Sequence, residues 1–209
     1  MTTFRVMTYN VHSCVGTDGR LEPGRIAEVI ARSNADVVAL QELDVCQKRT
    51  QGLHQPQWLA ETLQMFVHFT AARRCEDGHY GNAILSRHPL SVRSEGNLPR
   101  KSGEQRAVQW IELSIGNQKL NVMNTHLSIH FRERLLQIEQ LLGAEWIAKS
   151  EVHLPLVVCG DLNSRVMGLR DGFDACVHEA VTNSVAAVGN SNLSNFHAGK
   201  GKGAVLASN

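Results

Sequence analysis

Asp161 and Asn163 stand two residues apart at the end of an apolar run, Val157-Val158-Cys159-Gly160. Residues two apart on a strand share a side. The spacing therefore sets a carboxylate beside an amide at the rim of a sheet. Gly, Asp, Asn and Ser are also turn residues, and taken alone the stretch reads more readily as a turn. Three further segments end in the same manner. Asn10 closes the β-prone run from Phe4 to Val11, Glu42 closes Val37-Val38-Ala39-Leu40, and Asn124 and His126 close the run that starts at Lys119. One such Asn or Glu is commonly a cap, and one such His a structural hydrogen-bonder. Several in one chain carry more weight, because strand ends at one edge of a sheet converge in space.

The chemistry this set suits is hydrolysis of a phosphate ester. Glu42 offers hard carboxylate oxygens and Asn10 an amide oxygen, the kind of sparse donor set that Mg²⁺ takes beside waters and substrate phosphate. Such an ion polarises the phosphoryl group and stabilises the leaving oxygen. Asp161 would orient or deprotonate a water, Asn163 would hold the phosphate, and His126 would donate to a phosphoryl oxygen as charge develops. No thiolate set for a soft metal, no Gly-x-Gly-x-x-Gly and no P-loop is present. Ser13, Ser86 and Ser128 lie outside any Gly-x-Ser-x-Gly elbow, which makes a serine hydrolase a weak reading.

The elements that must position these groups can be read from periodicity. Pro23-Gly24 opens a helix with Ile26, Val29 and Ile30 on one stripe, and a second helix spans Gln57 to Gln64. Phe66 to Phe69 and His79 to Ser86 read as strands. Arg106 to Ile115 and Lys119 to Thr125 form a hairpin about Gly116-Asn117. The clearest helix carries Phe131, Leu135, Ile138, Leu142 and Trp146 as its apolar stripe, with Arg132, Glu133, Arg134 and Glu139 on the other face. No strand is read beyond Cys159. Residues 165–181 have room for one short helix, and residues 182–209 are rich in Asn, Ser, Gly and Ala. The fold class is α/β (α+β): a two-sheet β-sandwich with flanking helices. One domain covers residues 1–164, and residues 165–209 form an irregular or disordered tail.

Bulk properties narrow the class further. The chain has 209 residues, 43% hydrophobic, with a formal net charge of +1. That suits one domain with a full core and argues against a nucleic-acid binder held by net charge. Five cysteines, an odd number without a C-x-x-C pair, point away from zinc and from a disulfide framework. The N-terminus has no signal-peptide pattern and no run reaches the length of a membrane span. A cytoplasmic setting is expected.

The segments Thr8-Tyr9-Asn10-Val11-His12, Gln41-Glu42, Tyr80-Gly81-Asn82-Ala83-Ile84-Leu85-Ser86, Asn124-Thr125-His126-Leu127 and Gly160-Asp161-Leu162-Asn163 occur in this order. In that order they resemble the endonuclease/exonuclease/phosphatase superfamily, whose fold is deoxyribonuclease I-like. The resemblance covers residues 4 to 164. It implies a divalent-metal-dependent hydrolase of phosphate esters, a phosphodiesterase, nuclease or phosphatase, using Mg²⁺ with Mn²⁺ as the alternative. Asn10 and Glu42 match metal positions, and His126, Asp161 and Asn163 match catalytic ones. Arg106, in Glu104-Gln105-Arg106-Ala107, and Asn124 match substrate-binding positions. The implied substrates are nucleic acid, a phospholipid head group or a small phosphoester, with no obligate protein partner. The family pattern also closes with an Arg-Ile-Asp-Tyr-like strand and a Ser-Asp-His segment. Here the histidines after Asn163 are His178 and His197, and neither follows an Asp. The alternative reading is therefore a truncated or frame-shifted member, incomplete at its C-terminus. It would be catalytically inactive and at most a metal- or phosphate-binding scaffold.

Overall fold

The computed structural model describes residues 4–116, 118–147, 156–163 and 185–189. Its first sheet has four strands in the order β1 (Val6–Asn10), β2 (Val37–Val45), β4 (His79–Ser86) and β3 (Phe66–Arg74). The second has five in the order β5 (Leu90–Asn97), β6 (Ala107–Ile115), β7 (Gln118–His126), β8 (Leu156–Asp161) and β9 (Val185–Gly189). Parallel pairing joins β1 to β2, β7 to β8 and β8 to β9, and the remaining pairs are antiparallel. Helices α1 (Pro23–Ser33), α2 (Gln55–Leu63) and α3 (Phe131–Leu142), with 3-10 turns at His12–Cys14 and Lys48–Thr50, complete the described elements. The architecture is the two-sheet sandwich with flanking helices that the sequence leads one to expect.

Strand alternation sorts the core into three layers. Val6, Val37, Ala39, Ile84, Ile111, Val122, Val157 and Cys159 meet between the sheets. Val38, Leu40 and Leu85 point outward onto Ala27 and Ile30 of α1 and Leu59 of α2. Val108, Trp110, Met123 and Val158 face Leu141, Trp146 and Ile147 on the opposite side. Above the apolar middle the same period places a polar tier. Gln41 Nε2 donates across the sheets to Asn124 Oδ1 (2.8 Å) and within its own sheet to Thr8 Oγ1 (3.1 Å). Asn124 Nδ2 donates to the carbonyls of Leu40 and Ala83, both at 3.0 Å. These bonds tie the sheets together one step below the rim.

Several sequence expectations need correction. β5 is an edge strand that periodicity does not reveal, because solvent faces so much of it and Ser91, Arg93 and Glu95 are exposed. β2 and β3 run on past Leu40 and Phe69, to Val45 and Arg74. A strand exists beyond Cys159: β9 pairs with β8, within the stretch expected to be irregular. The rest of 165–209, with His178 and His197, lies outside the described residues. The third helix ends at Leu142, so Trp146 is not part of it; Ile138 and Leu142 keep to the core, but the first turns are reversed. Phe131 and Leu135 are exposed at 52% and 43%, whereas Glu133, Arg134 and Gln137 are buried. The cause is specific bonding. Glu133 Oε2 accepts from the backbone of Lys101 and Ser102, at 3.0 and 2.9 Å. Gln137 accepts from Ser128 N (2.8 Å) and donates to Pro99 O (3.0 Å), and Arg134 donates to Ser128 O (2.7 Å). α3 thus holds the loop that leads into Arg106 through polar groups.

Candidate active site

Period two carries the inward face of each strand to the rim: Val6, Thr8, Asn10 on β1; Val122, Asn124, His126 on β7; Val157, Cys159, Asp161 on β8. β2 reaches the same place by a different route. Its register slips between Leu40 and Leu43, a β-bulge, and Glu42 within it has φ +63°. A left-handed backbone at a residue with a Cβ costs about 1–3 kcal/mol and is commonly kept where function needs it. His12 (φ +47°) and Asn163 (φ +49°) share this strain. Gly160 supplies the opposite freedom. It has φ +144°, and a Cβ there would lie 1.9 Å from the Thr125 carbonyl oxygen of β7. The glycine of Gly-Asp-Leu-Asn lets the two strands close before Asp161.

Asn10 Nδ2 donates to Glu42 Oε1 (2.8 Å) and to Asp161 Oδ2 (2.9 Å). One amide thus gathers carboxylates from both sheets. Their oxygens can stand no further apart than those two hydrogen bonds laid end to end. Like charges at such a separation repel by about 3 kcal/mol at an effective dielectric near 20. Asn10 Oδ1 accepts from His12 N (3.2 Å), and His12 Nδ1 lies 3.1 Å from Glu42 Oε2. Asp161 Oδ1 accepts from Asn163 N (3.0 Å).

His126 is 3% exposed beneath this pair. Its Nδ1 faces Arg106 Nη1 at 3.0 Å. A guanidinium offers only donors, so Nδ1 accepts at this contact, and Nε2 faces a second donor, the Asn163 Nδ2, at 3.1 Å. Nε2 lies 3.9 Å from Glu42 Oε1 and 3.9 Å from Asp161 Oδ2. Burial first, and then the Arg106 charge, push the His126 pKa down to about 4, against the pull of Asp161 and Glu42. Arg106 is itself buried and bonded to Glu104 Oε2 (2.9 Å), and its Nε has no hydrogen-bond partner among the described residues. Burial raises the Tyr80 phenol, with the Glu42 and Glu104 charges adding and Arg106 opposing, so Tyr80 stays a neutral hydroxyl at this edge of the site.

The structure brings Asn10, Glu42, Arg106, His126, Asp161 and Asn163 together. It does not bring Asn124 with them. That side chain is fully buried, and its oxygen and nitrogen are taken by Gln41 and two carbonyls, which clips the two sheets together. Asn10 Oδ1 accepts from His12 N and its Nδ2 faces both carboxylates, so it stands at the centre of the expected metal position. Asn163 lies beyond the end of β8 and reaches the site through its left-handed backbone, not through strand alternation. Its Nδ2 donates to Leu127 O (2.9 Å), 3.1 Å from His126 Nε2. Sequence reasoning gave no role to His12, Tyr80 or Glu104, although His12 and Tyr80 lie within the ordered segments.

A divalent cation fits this donor set. Two carboxylates provide hard oxygens only, as Mg²⁺ prefers, and their enforced closeness is the electrostatic cost a cation would offset. Among the described residues no cluster of three or more His, Cys, Asp or Glu forms a protein-only cage. No helix among them is long and apolar enough to cross a membrane.

Comparison with known proteins follows this geometry. A family model described as the endonuclease/exonuclease/phosphatase family matches residues 7–176. The protein YbhP of Escherichia coli K12, described as uncharacterized, is 28% identical over 174 residues, covering 77% of this chain and 67% of its own. A Beutenbergia cavernae endonuclease/exonuclease/phosphatase structure superposes with a TM-score of 0.60 at 26% identity, over 79% of this chain and 49% of its own. This chain therefore spans about half the length of that relative. A mannosyl-6-phosphatase of Bacteroides thetaiotaomicron gives a TM-score of 0.64 at 16% identity, over 83% of this chain and 70% of its own, and shares the fold.

Proposed function

This chain belongs to the endonuclease/exonuclease/phosphatase family, and on that premise we propose that it hydrolyses phosphate esters with a divalent cation. The observation that carries the reading is the single amide of Asn10 bridging Glu42 and Asp161 directly above the Nε2 of His126. Glu42 and Asp161 would hold Mg²⁺, with Mn²⁺ the alternative, and Asn10 sets their orientation. When bound, the cation neutralises phosphate charge and stabilises the leaving oxygen. His126 turns its Nε2 edge toward a phosphoryl oxygen, and Arg106 fixes the ring through Nδ1. Asp161, fixed by donors on both oxygens, orients the attacking water, and the amide of Asn163 holds the phosphate beside it. The substrate class stays at phosphate ester: nucleic acid, lipid head group or small molecule. A reducing, cytoplasmic setting accompanies this reading, supported by the free thiols of Cys14, Cys46, Cys75 and Cys159.

The test is turnover of bis(p-nitrophenyl) phosphate and p-nitrophenyl phosphate by the purified chain. Hydrolysis that needs Mg²⁺ and disappears with EDTA and with Glu42→Ala is expected. Turnover that survives both changes sinks the proposal. The rival reading is a scaffold that binds metal or phosphate without turnover; within residues 164–209 the two histidines, His178 and His197, do not follow an Asp. It predicts cation binding with no hydrolysis of either ester.

A further inference from the structure

We infer that the outward face of α3, with the loop before it, docks this protein on an anionic phospholipid surface. Ile129 is 67% exposed, Phe131 52% and Leu135 43%, three of the six large apolar side chains most open to solvent among the described residues. They are neighbours. Phe131 and Leu135 are one turn apart on the helix, and Ile129 directly precedes its start. The reason for the exposure is that α3 turns its polar Glu133, Arg134 and Gln137 inward to hold two loops, which leaves Phe131 and Leu135 outside while Ile138 and Leu142 pack on the core.

The charge beside this stripe selects the occupant. Arg132 shares the exposed face, and Glu133 draws Lys101 against the same helix end through its backbone, with Arg100 next to it. All three cations are exposed, and Glu139, one turn beyond Leu135, is the exposed acid at the far end. Apolar side chains flanked by Arg and Lys are the composition of an interfacial helix on anionic lipid. Nucleic acid is the poorer fit, since Ile129 and Leu135 have no face on which a base can stack. The patch begins three residues after His126, at most about 11 Å of chain from the rim. It deepens the hydrolase reading by placing the site's mouth at a lipid surface.

Flotation of the full chain with phosphatidylglycerol/phosphatidylcholine vesicles, and with phosphatidylcholine alone, tests it without using turnover. Binding to the anionic vesicles is expected, weaker at high salt. Ile129→Asp with Phe131→Asp should lower partitioning on the order of tenfold or more. Arg132→Gln should lower it about fivefold, the share of one basic residue near such a surface. Leu135→Asp serves as a separate variant on the same face if the double variant melts early by circular dichroism. The inference is overturned by a wild type that ignores vesicles, by equal binding to neutral vesicles, or by variants that bind unchanged. Self-association or oligonucleotide binding through these residues in place of vesicle binding also overturns it. Vesicle binding without hydrolysis refutes only the hydrolase reading, and hydrolysis without vesicle binding refutes only this one.

Discussion

Two polar tiers lie one strand step apart in the same inter-sheet layer. The lower one, Thr8, Gln41 and Asn124, is neutral and buried, and its amides bond across the sheets. The upper one, Asn10, Glu42, His126 and Asp161, crowds two carboxylates onto one amide and holds Glu42 in a left-handed conformation. The same strands and the same side-chain period build both. The lower tier pairs its amide nitrogens and holds the sheets together, with Gln41 Oε1 left without a partner among the described residues. The upper tier carries repulsion and strain that the tier beneath must support. Stability and chemistry are thus separated by one residue pair along each strand.

The sharpest way to break this comparison is Glu42→Gly. Hydrolysis should fall by about a thousandfold or more, in line with loss of a member of a catalytic unit. The fold should gain about 1 kcal/mol as the left-handed strain goes. Glu42→Ala should lose activity equally without the conformational share of that gain. Turnover and thermal melting of the pair read both effects, and a Glu42→Gly chain less stable than Glu42→Ala would contradict the strain argument.

In the lower tier, Asn124→Leu takes the side-chain donor from the Leu40 and Ala83 carbonyls and one of three acceptors from the Gln41 amide. It should cost about 3–4 kcal/mol in denaturant unfolding. Activity of the fraction that remains folded should change little. A stable variant with specifically lost turnover would return Asn124 to the site.

Arg106→Gln probes the boundary between His126 and its surroundings. Removing the charge that faces Nδ1 should raise the His126 pKa from about 4, visible by NMR, and lower kcat by about 10–100-fold, the range of one positioned hydrogen-bonding group. An unmoved titration would show that burial alone sets the histidine.

The smallest effect concerns pH. His126 is held below its usual value of 6.5 in the fold, so the unfolded chain binds more protons between pH 6.5 and 4. The stabilising share of neutral His126 is present above the unfolded value and is lost as pH falls through that window. The loss is about 3 kcal/mol at most. His126→Gln should flatten stability over that window, and an unchanged slope would remove His126 as its source.

Much of the upper tier was legible because period two is visible in sequence: Asn10, His126 and Asp161 follow apolar residues on one face. Depth was not legible. Asn124 obeys the same period and sits one step too low, because sequence does not mark where the sheet ends. The bulge that turns Glu42 into the site carries neither Gly nor Pro, so nothing announces it. Asn163 needed a backbone conformation, not a strand. α3 misleads for another reason: its apolar stripe is real, but Glu133, Arg134 and Gln137 have partners inside that Phe131 and Leu135 cannot replace. β5 escaped because an exposed edge strand shows little alternation.

The measurement closest to the central claim is a calorimetric titration with Mg²⁺ of the wild type, Glu42→Gln and Asp161→Asn. Because Asn10 gathers both carboxylates into one donor set, a single Mg²⁺ site is expected in the wild type and should be lost in each variant. Identical isotherms in all three proteins, or no heat in the wild type, would contradict the assignment of this rim as a cation-dependent centre.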